Sequence, residues 1–282
     1  MTLRTITVPL FSDIDPSAPL DAALSIARLT RAHIEGVLIR PDPATGQAAI
    51  AAYGLPNAAN LAEMAREGEE RAAACRAAFN AWMAQNGLAG DGKPGTVFAR
   101  WHDHIGWPEE AIVQHGRLAD LLVMNLPVSF ANPTGPAFES AVFNSGRPTL
   151  VVPSGTARAL PGKVLLAWNG SLEATRAMAG AMPLLKTAKQ VFVLTIPETK
   201  HAGAENMDVC AALRWHDING VCLMPHRGSD EAGTAIQRAA SELQADMVVM
   251  GAYTHGRVRQ FLLGGATRHL LENSTIPILF GH

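Results

Sequence analysis

In this chain of 282 residues, the side chains and backbone groups best suited to chemistry are glycines, amides and hydroxyls in two loops of the second half. One loop reads Ala167-Trp168-Asn169-Gly170-Ser171. The other runs from Met250-Gly251-Ala252-Tyr253-Thr254-His255-Gly256 on to Gly264-Gly265-Ala266-Thr267. Gly251 has no Cβ, so the backbone there can come close to a ligand. Gly264 and Gly265 open a helix-like stretch whose first unpaired N–H groups and positive dipole end attract an anion. Thr267 offers a further hydroxyl, and Arg257, Arg259 and Arg268 add positive charge near by. Asn169-Gly170-Ser171 reads first as a tight turn with Ser171 capping the next helix; a ligand contact from Asn169 would be additional to that role. Such a set can hold a negatively charged group. It does not spell out bond breaking.

Several motifs of catalysis and metal binding fail on inspection. Gly251 to Val258 approaches G-x-x-x-x-G-K-[ST], but Arg257 and Val258 replace the lysine and the Mg²⁺-binding hydroxyl residue. A P-loop also follows the first strand of its unit, not the fourth. Neither G-x-G-x-x-G nor G-x-S-x-G occurs, and no Ser/His/Asp arrangement stands out. Tyr253 and His255 flank the second loop, yet a histidine beside a pocket is not thereby a general base. No catalytic residue is expected. His102 and His104, two apart on a strand, share one face, but no third ligand is evident, so they read as a solvated strand end and no metal is expected. Cys75, Cys210 and Cys222 form no CxxC pair and read as buried thiols rather than as a disulfide framework or a zinc site.

The elements that must position these loops come from an internal repeat. Ala119-Asp120-Leu121-Leu122-Val123-Met124 returns as Ala245-Asp246-Met247-Val248-Val249-Met250, and each half ends in Pro plus an apolar run, at Pro148 and at Pro277. Each unit is long enough for its own core, which means duplicated domains rather than stacked repeats. The predicted domains are 1–154 and 162–282, joined by a short linker from Ser154 to Gly162. Strands are expected near 4–10, 33–40, 96–101, 120–125 and 148–153, then near 163–168, 190–196, 219–224, 246–251 and 276–280. Helical patterns fall near 17–30, 58–87, 108–117 and 136–145, then near 172–184, 205–214, 229–243 and 264–273, with a loop over Pro41 to Asn60. Runs such as VLLAW and MVVMG are apolar on both faces, as in a parallel sheet covered by helices. The fold class is therefore α/β: two doubly wound Rossmann-like domains, each with a five-stranded parallel sheet. In such sheets ligands sit outside the carboxyl ends of strands where the strand order reverses, and the two loops lie there.

From Val164 to Phe280 the chain resembles the universal stress protein family in its tandem form. The family's G-2x-G-9x-G-(S/T) signature, which holds ATP phosphates in nucleotide-binding members, matches at Gly251, Thr254, Gly264 and Gly265. The spacing is kept, while Thr254 replaces a glycine and Gly265 a hydroxyl residue. Asn169 stands at the adenine-side position. The resemblance implies a non-catalytic stress protein that binds ATP or another adenine nucleotide in its C-terminal domain only, through Ala167, Asn169, Met250, Gly251, Thr254, Gly264, Gly265, Ala266 and Thr267. The alternative reading is a stress scaffold without nucleotide, acting through protein contacts.

In the first half, Phe11 stands where the second has Asn169, and the fourth-strand loop contains Pro127 and Pro133 with no glycine cluster. Prolines lack the N–H an anion needs, so that half is expected to be structural. The resemblance also implies an intrachain pseudo-dimer joined through the fifth strands, and a homodimer of chains. The formal charge of -2 argues against a nucleic-acid partner. With neither a signal peptide nor an 18-residue apolar run, a cytoplasmic protein without membrane contact is expected.

Overall fold

A computed structural model describes residues 2–40, 58–127, 134–155, 160–196, 206–223, 231–252 and 265–282. In the first half Thr5–Leu10 (β1), Ser17–Thr30 (α1), His33–Arg40 (β2), Ala58–Gln85 (α2), Ala99–Ile105 (β3), Pro108–Gly116 (α3), Leu121–Asn125 (β4), Thr134–Asn144 (α4) and Thr149–Val152 (β5) follow one another. In the second half Lys163–Trp168 (β6), Leu172–Leu185 (α5), Gln190–Thr195 (β7), Asn206–Arg214 (α6), Gly220–Leu223 (β8), Ala232–Glu242 (α7), Met247–Gly251 (β9), Gly265–Asn273 (α8) and Ile278–Gly281 (β10) do the same. Most of the expected loop over Pro41 to Asn60 lies outside the described residues, as does part of the linker at 156–159.

All ten strands join one sheet in the order β3-β2-β1-β4-β5-β10-β9-β6-β7-β8. Every neighbouring pair is parallel except β5 and β10, which run antiparallel with Leu150 opposite Leu279. The two fifth strands thus meet inside one chain, the arrangement the resemblance implies. One apolar layer lies under α1, α2, α5 and α6, and the other under α3, α4, α7 and α8. Central strands bury both faces, which explains why their sequences are apolar throughout rather than alternating. Phe138 of α4 meets Phe280 of β10 edge to face across the seam, with ring centroids 5.7 Å apart. Both are fully buried, and burial of a side chain of this size stabilises a fold by about 1.5–3 kcal/mol.

The Ala-Asp pair of the repeat has a concrete role. Asp120 Oδ2 accepts from the backbone N–H groups of Arg4 (2.8 Å) and Thr5 (3.0 Å). Asp246 Oδ2 accepts from the Lys163 N–H at 2.7 Å. In each half the carboxylate fastens the start of the first strand to the start of the fourth, satisfying N–H groups where the chain enters the sheet. Within the linker, Leu160 N–H donates to Ser25 Oγ (2.8 Å), and that hydroxyl donates back to the Leu160 carbonyl (2.9 Å).

Two expectations need correction. The third strand starts at Ala99 and continues to Ile105, not 96–101, because its register with β2 pairs Ile34 with Ala99 and Arg40 with Ile105. As an edge strand it carries Arg100, His102, Asp103 and His104, so hydropathy did not mark its limits. The three cysteines are not all free thiols either. Cys210 of α6 and Cys222 of β8 are joined as a disulfide, with Cα atoms 6.5 Å apart, because β8 lies directly under α6. Cys75 is free and buried, and burial pushes its thiol pKa up.

Candidate functional site

The strand order of the second half reverses beside β6: the chain moves outward to β7 and β8, then returns to β9 on the other side. The crevice between the carboxyl ends of β6 and β9 is therefore the place for a ligand. On the β6 side, Trp168 is buried and Gly170 takes φ 76°, a conformation that glycine adopts freely. Asn169 Oδ1 accepts from the Ser171 N–H (3.2 Å), and Ser171 Oγ caps α5 by accepting from the Ala174 N–H (3.1 Å). The turn-and-cap reading of this loop is what the structure shows. Ala167 is buried beneath it.

On the β9 side, Met250 is buried, and Gly251 has a different role from the one read in the sequence. A Cβ built there would lie 2.5 Å from the Ala174 amide nitrogen and 2.7 Å from the Glu173 carbonyl carbon. Its bare face is occupied by the first turn of α5, so the glycine serves close helix-on-strand packing rather than direct ligand approach. Gly281, its neighbour on β10, meets the Ala177 backbone one turn further along the same helix. Ala252 is held from both sides, donating to the Gly281 carbonyl (2.9 Å) and accepting from His282 Nδ1 (3.1 Å).

The last helix, α8, starts at Gly265. Because β9 and β10 are parallel and joined through it, its N-terminus stands at the same sheet edge as Gly251. A Cβ at Gly265 would meet nothing within 4 Å among the described residues. Ala266 packs partly against the core, and Thr267 is buried at 3% exposure. Arg268 pairs with Glu272 at 2.8 Å, one turn along the helix, and its charge is directed there. Thr254 and Gly264 lie outside the described residues, as do Tyr253, His255, Arg257 and Arg259.

One residue on β7, across β6 from that crevice, escaped the sequence reading. Thr195 ends β7 beside Trp168, and its Oγ1 is buried with no hydrogen-bond partner among the described residues. A buried hydroxyl without a partner is costly, and this one lies at the carboxyl edge of the sheet. The available signal was a lone hydroxyl closing the otherwise apolar run VFVLT.

The first half carries different groups at the corresponding edge. Asn125, the counterpart of Gly251 in the repeat, is buried and donates from Nδ2 to the Asp15 carbonyl at 3.1 Å, tying the end of β4 to the loop after β1. Phe11 packs against the core at the same edge. Elsewhere, His102 and His104 lie within β3, not at a solvated end, and engage Glu35 and His115. Among the described residues no group of three side chains is arranged to hold a metal ion, and no helix is long and apolar enough to cross a membrane.

Comparison with known proteins matches this geometry. Residues 162–280 fit the model of the universal stress protein family. A universal stress protein from Archaeoglobus fulgidus DSM 4304 is 16% identical, with 98% of this chain and 94% of that chain covered at a TM-score of 0.66. A functionally unknown protein from Pseudomonas aeruginosa PAO1 is 15% identical, with 98% and 92% covered at a TM-score of 0.54. No curated protein matches the sequence. These likenesses define a doubly wound α/β protein with two similar halves. The second half, residues 162–280, is where the match to the universal stress protein family lies.

Proposed function

We propose that the second half seats an adenine nucleotide, ATP or AMP, without turning it over, and that the first half, bounded at about residue 154, is its structural partner. In this reading the protein is a cytoplasmic, ligand-responsive member of a stress response. The observation that carries it is the pairing of two features at the carboxyl edge of the sheet: the helix start at Gly265, uncrowded among the described residues, and the buried hydroxyl of Thr195, unpartnered among them. The first supports an anionic group, and the second a polar atom of the ligand. Restriction to one half follows from Asn125 and Phe11, which stand at the corresponding edge of the other. Calorimetry with ATP and AMP on protein stripped of nucleotide tests the reading. Binding at one site per chain is expected, and absence of heat at millimolar ligand would contradict it.

The rival is a scaffold that works through protein contacts, alone or as a homodimer. It draws on Gly251, whose bare face is taken by α5, and on Arg268, which is paired within its own helix. Light scattering gives the oligomeric state, and Thr195 distinguishes the readings: a scaffold has no use for its hydroxyl.

A further inference from the structure

Far from that crevice, at the β3 edge of the sheet, four histidines and one carboxylate gather on the face covered by α3. Strand alternation puts His33 and Glu35 of β2 on the same side as His102 and His104 of β3, and α3 brings His115 down onto them. Both oxygens of Glu35 are engaged: Oε1 by His33 Nε2 at 3.0 Å and Oε2 by His102 Nε2 in a close contact. His104 Nδ1 and His115 Nε2 are 3.3 Å apart, with their rings edge to face and centroids separated by 5.3 Å. His102 stands 6.0 Å from His115, centroid to centroid.

Two imidazoles joined nitrogen to nitrogen need one lone pair between them. The neutral pair satisfies this, and so does the singly protonated one. With a proton on every nitrogen, N–H faces N–H and two like charges sit side by side, so the contact cannot survive. The other charges around His115 offer little relief. Of the residues on β2 and β3, only Glu35 favours its protonation, and His33 and His102 already hold both carboxylate oxygens. Arg100, on the same side of β3, adds positive charge, while β1 contributes no charged residue. Glu109 and Glu110 lie in the first turn of α3, remote from His115 in the last. Glu139 of the neighbouring α4 has its carboxyl pKa raised by burial. Burial, then His104 and His102, hold the His115 imidazole below its ordinary range.

We propose that the His104–His115 pair, with His33, Glu35 and His102 beside it, is a proton-operated latch that fastens α3 to edge strand β3 when neutral and releases it on acidification. The direction follows from linkage. A histidine whose pKa is depressed on folding contributes stability that is fully present above the ordinary value of about 6.5 and is lost as pH falls through the lower folded value. α3 should therefore loosen below about pH 6.5, before global acid unfolding.

Hydrogen exchange of the full chain, read by mass spectrometry in EDTA-containing buffer, tests this. The rates are corrected for the intrinsic effect of pH. Protection of the peptide covering 108–116 is expected to fall severalfold between pH 7.5 and 5.5, while α7 changes little. His115→Gln, which cannot be protonated, should reduce that change to less than about twofold. Unchanged protection in the natural protein, or an equal fall in the variant, would overturn the latch. Should the variant fail to fold, histidine NMR of the natural protein decides: His115 titrating below the ordinary range supports the proposal, and titration at or above it overturns it.

Discussion

Gly251 lies directly beneath Ala174: a methyl group on the glycine would come within 2.5 Å of the alanine's amide nitrogen. The first turn of α5 rests on the end of β9 at a separation that only a missing side chain permits. Gly251→Ala should therefore act on stability first. Backbone, unlike a flexible side-chain tip, cannot swing aside, and overpacking of this kind costs about 1–3 kcal/mol. Urea unfolding would show a lower midpoint. An unaffected midpoint would mean that α5 is free to shift.

The buried hydroxyl of Thr195 gives opposite expectations for the free and bound protein. Thr195→Val keeps the shape and removes an unpartnered polar atom, so the nucleotide-free variant should be more stable by about 1 kcal/mol. If the hydroxyl meets the ligand, affinity for ATP should fall by about fivefold to tenfold, the worth of one hydrogen bond. Thermal melts and calorimetry on the same sample read both. A variant that binds as tightly as the natural protein would remove Thr195 from the site.

The seam between the halves rests on aromatic packing across β5 and β10. Phe280→Ala empties a fully buried position against Phe138, and such truncations cost about 3–5 kcal/mol. Since β10 belongs to the second half and α4 to the first, both halves should lose stability together. Limited proteolysis would then cut within each half at similar rates. Loss confined to residues after 162 would show that the halves stand independently.

The fold was legible where local chemistry and tertiary structure agree. Asp120 and Asp246 announced the repeat, and each proves to fasten the same two strands in its own half. Both-face burial made the central strands readable as apolar runs. The limits of the edge strand β3 were not, because its outward groups are polar and its bounds follow from pairing with β2. The partners of His102 and His104 come from β2 and α3, at sequence distances no motif spans. Cys210 and Cys222 meet only because β8 lies under α6. At the site, Asn169 and Ser171 read correctly as turn and cap, whereas Gly251 proves to receive the first turn of α5. A glycine's bare face can receive a ligand or a helix, and spacing alone does not say which.

The central claim is that an adenine nucleotide sits in the second half and not in the first. Photo-crosslinking with an azido-adenine nucleotide, followed by peptide mapping of the full chain, tests it most directly. Label should appear in peptides lining the β6–β9 crevice, within 163–196 or 247–282, and be displaced by excess ATP. Labelling of residues 2–155, or none that ATP displaces, would contradict the account.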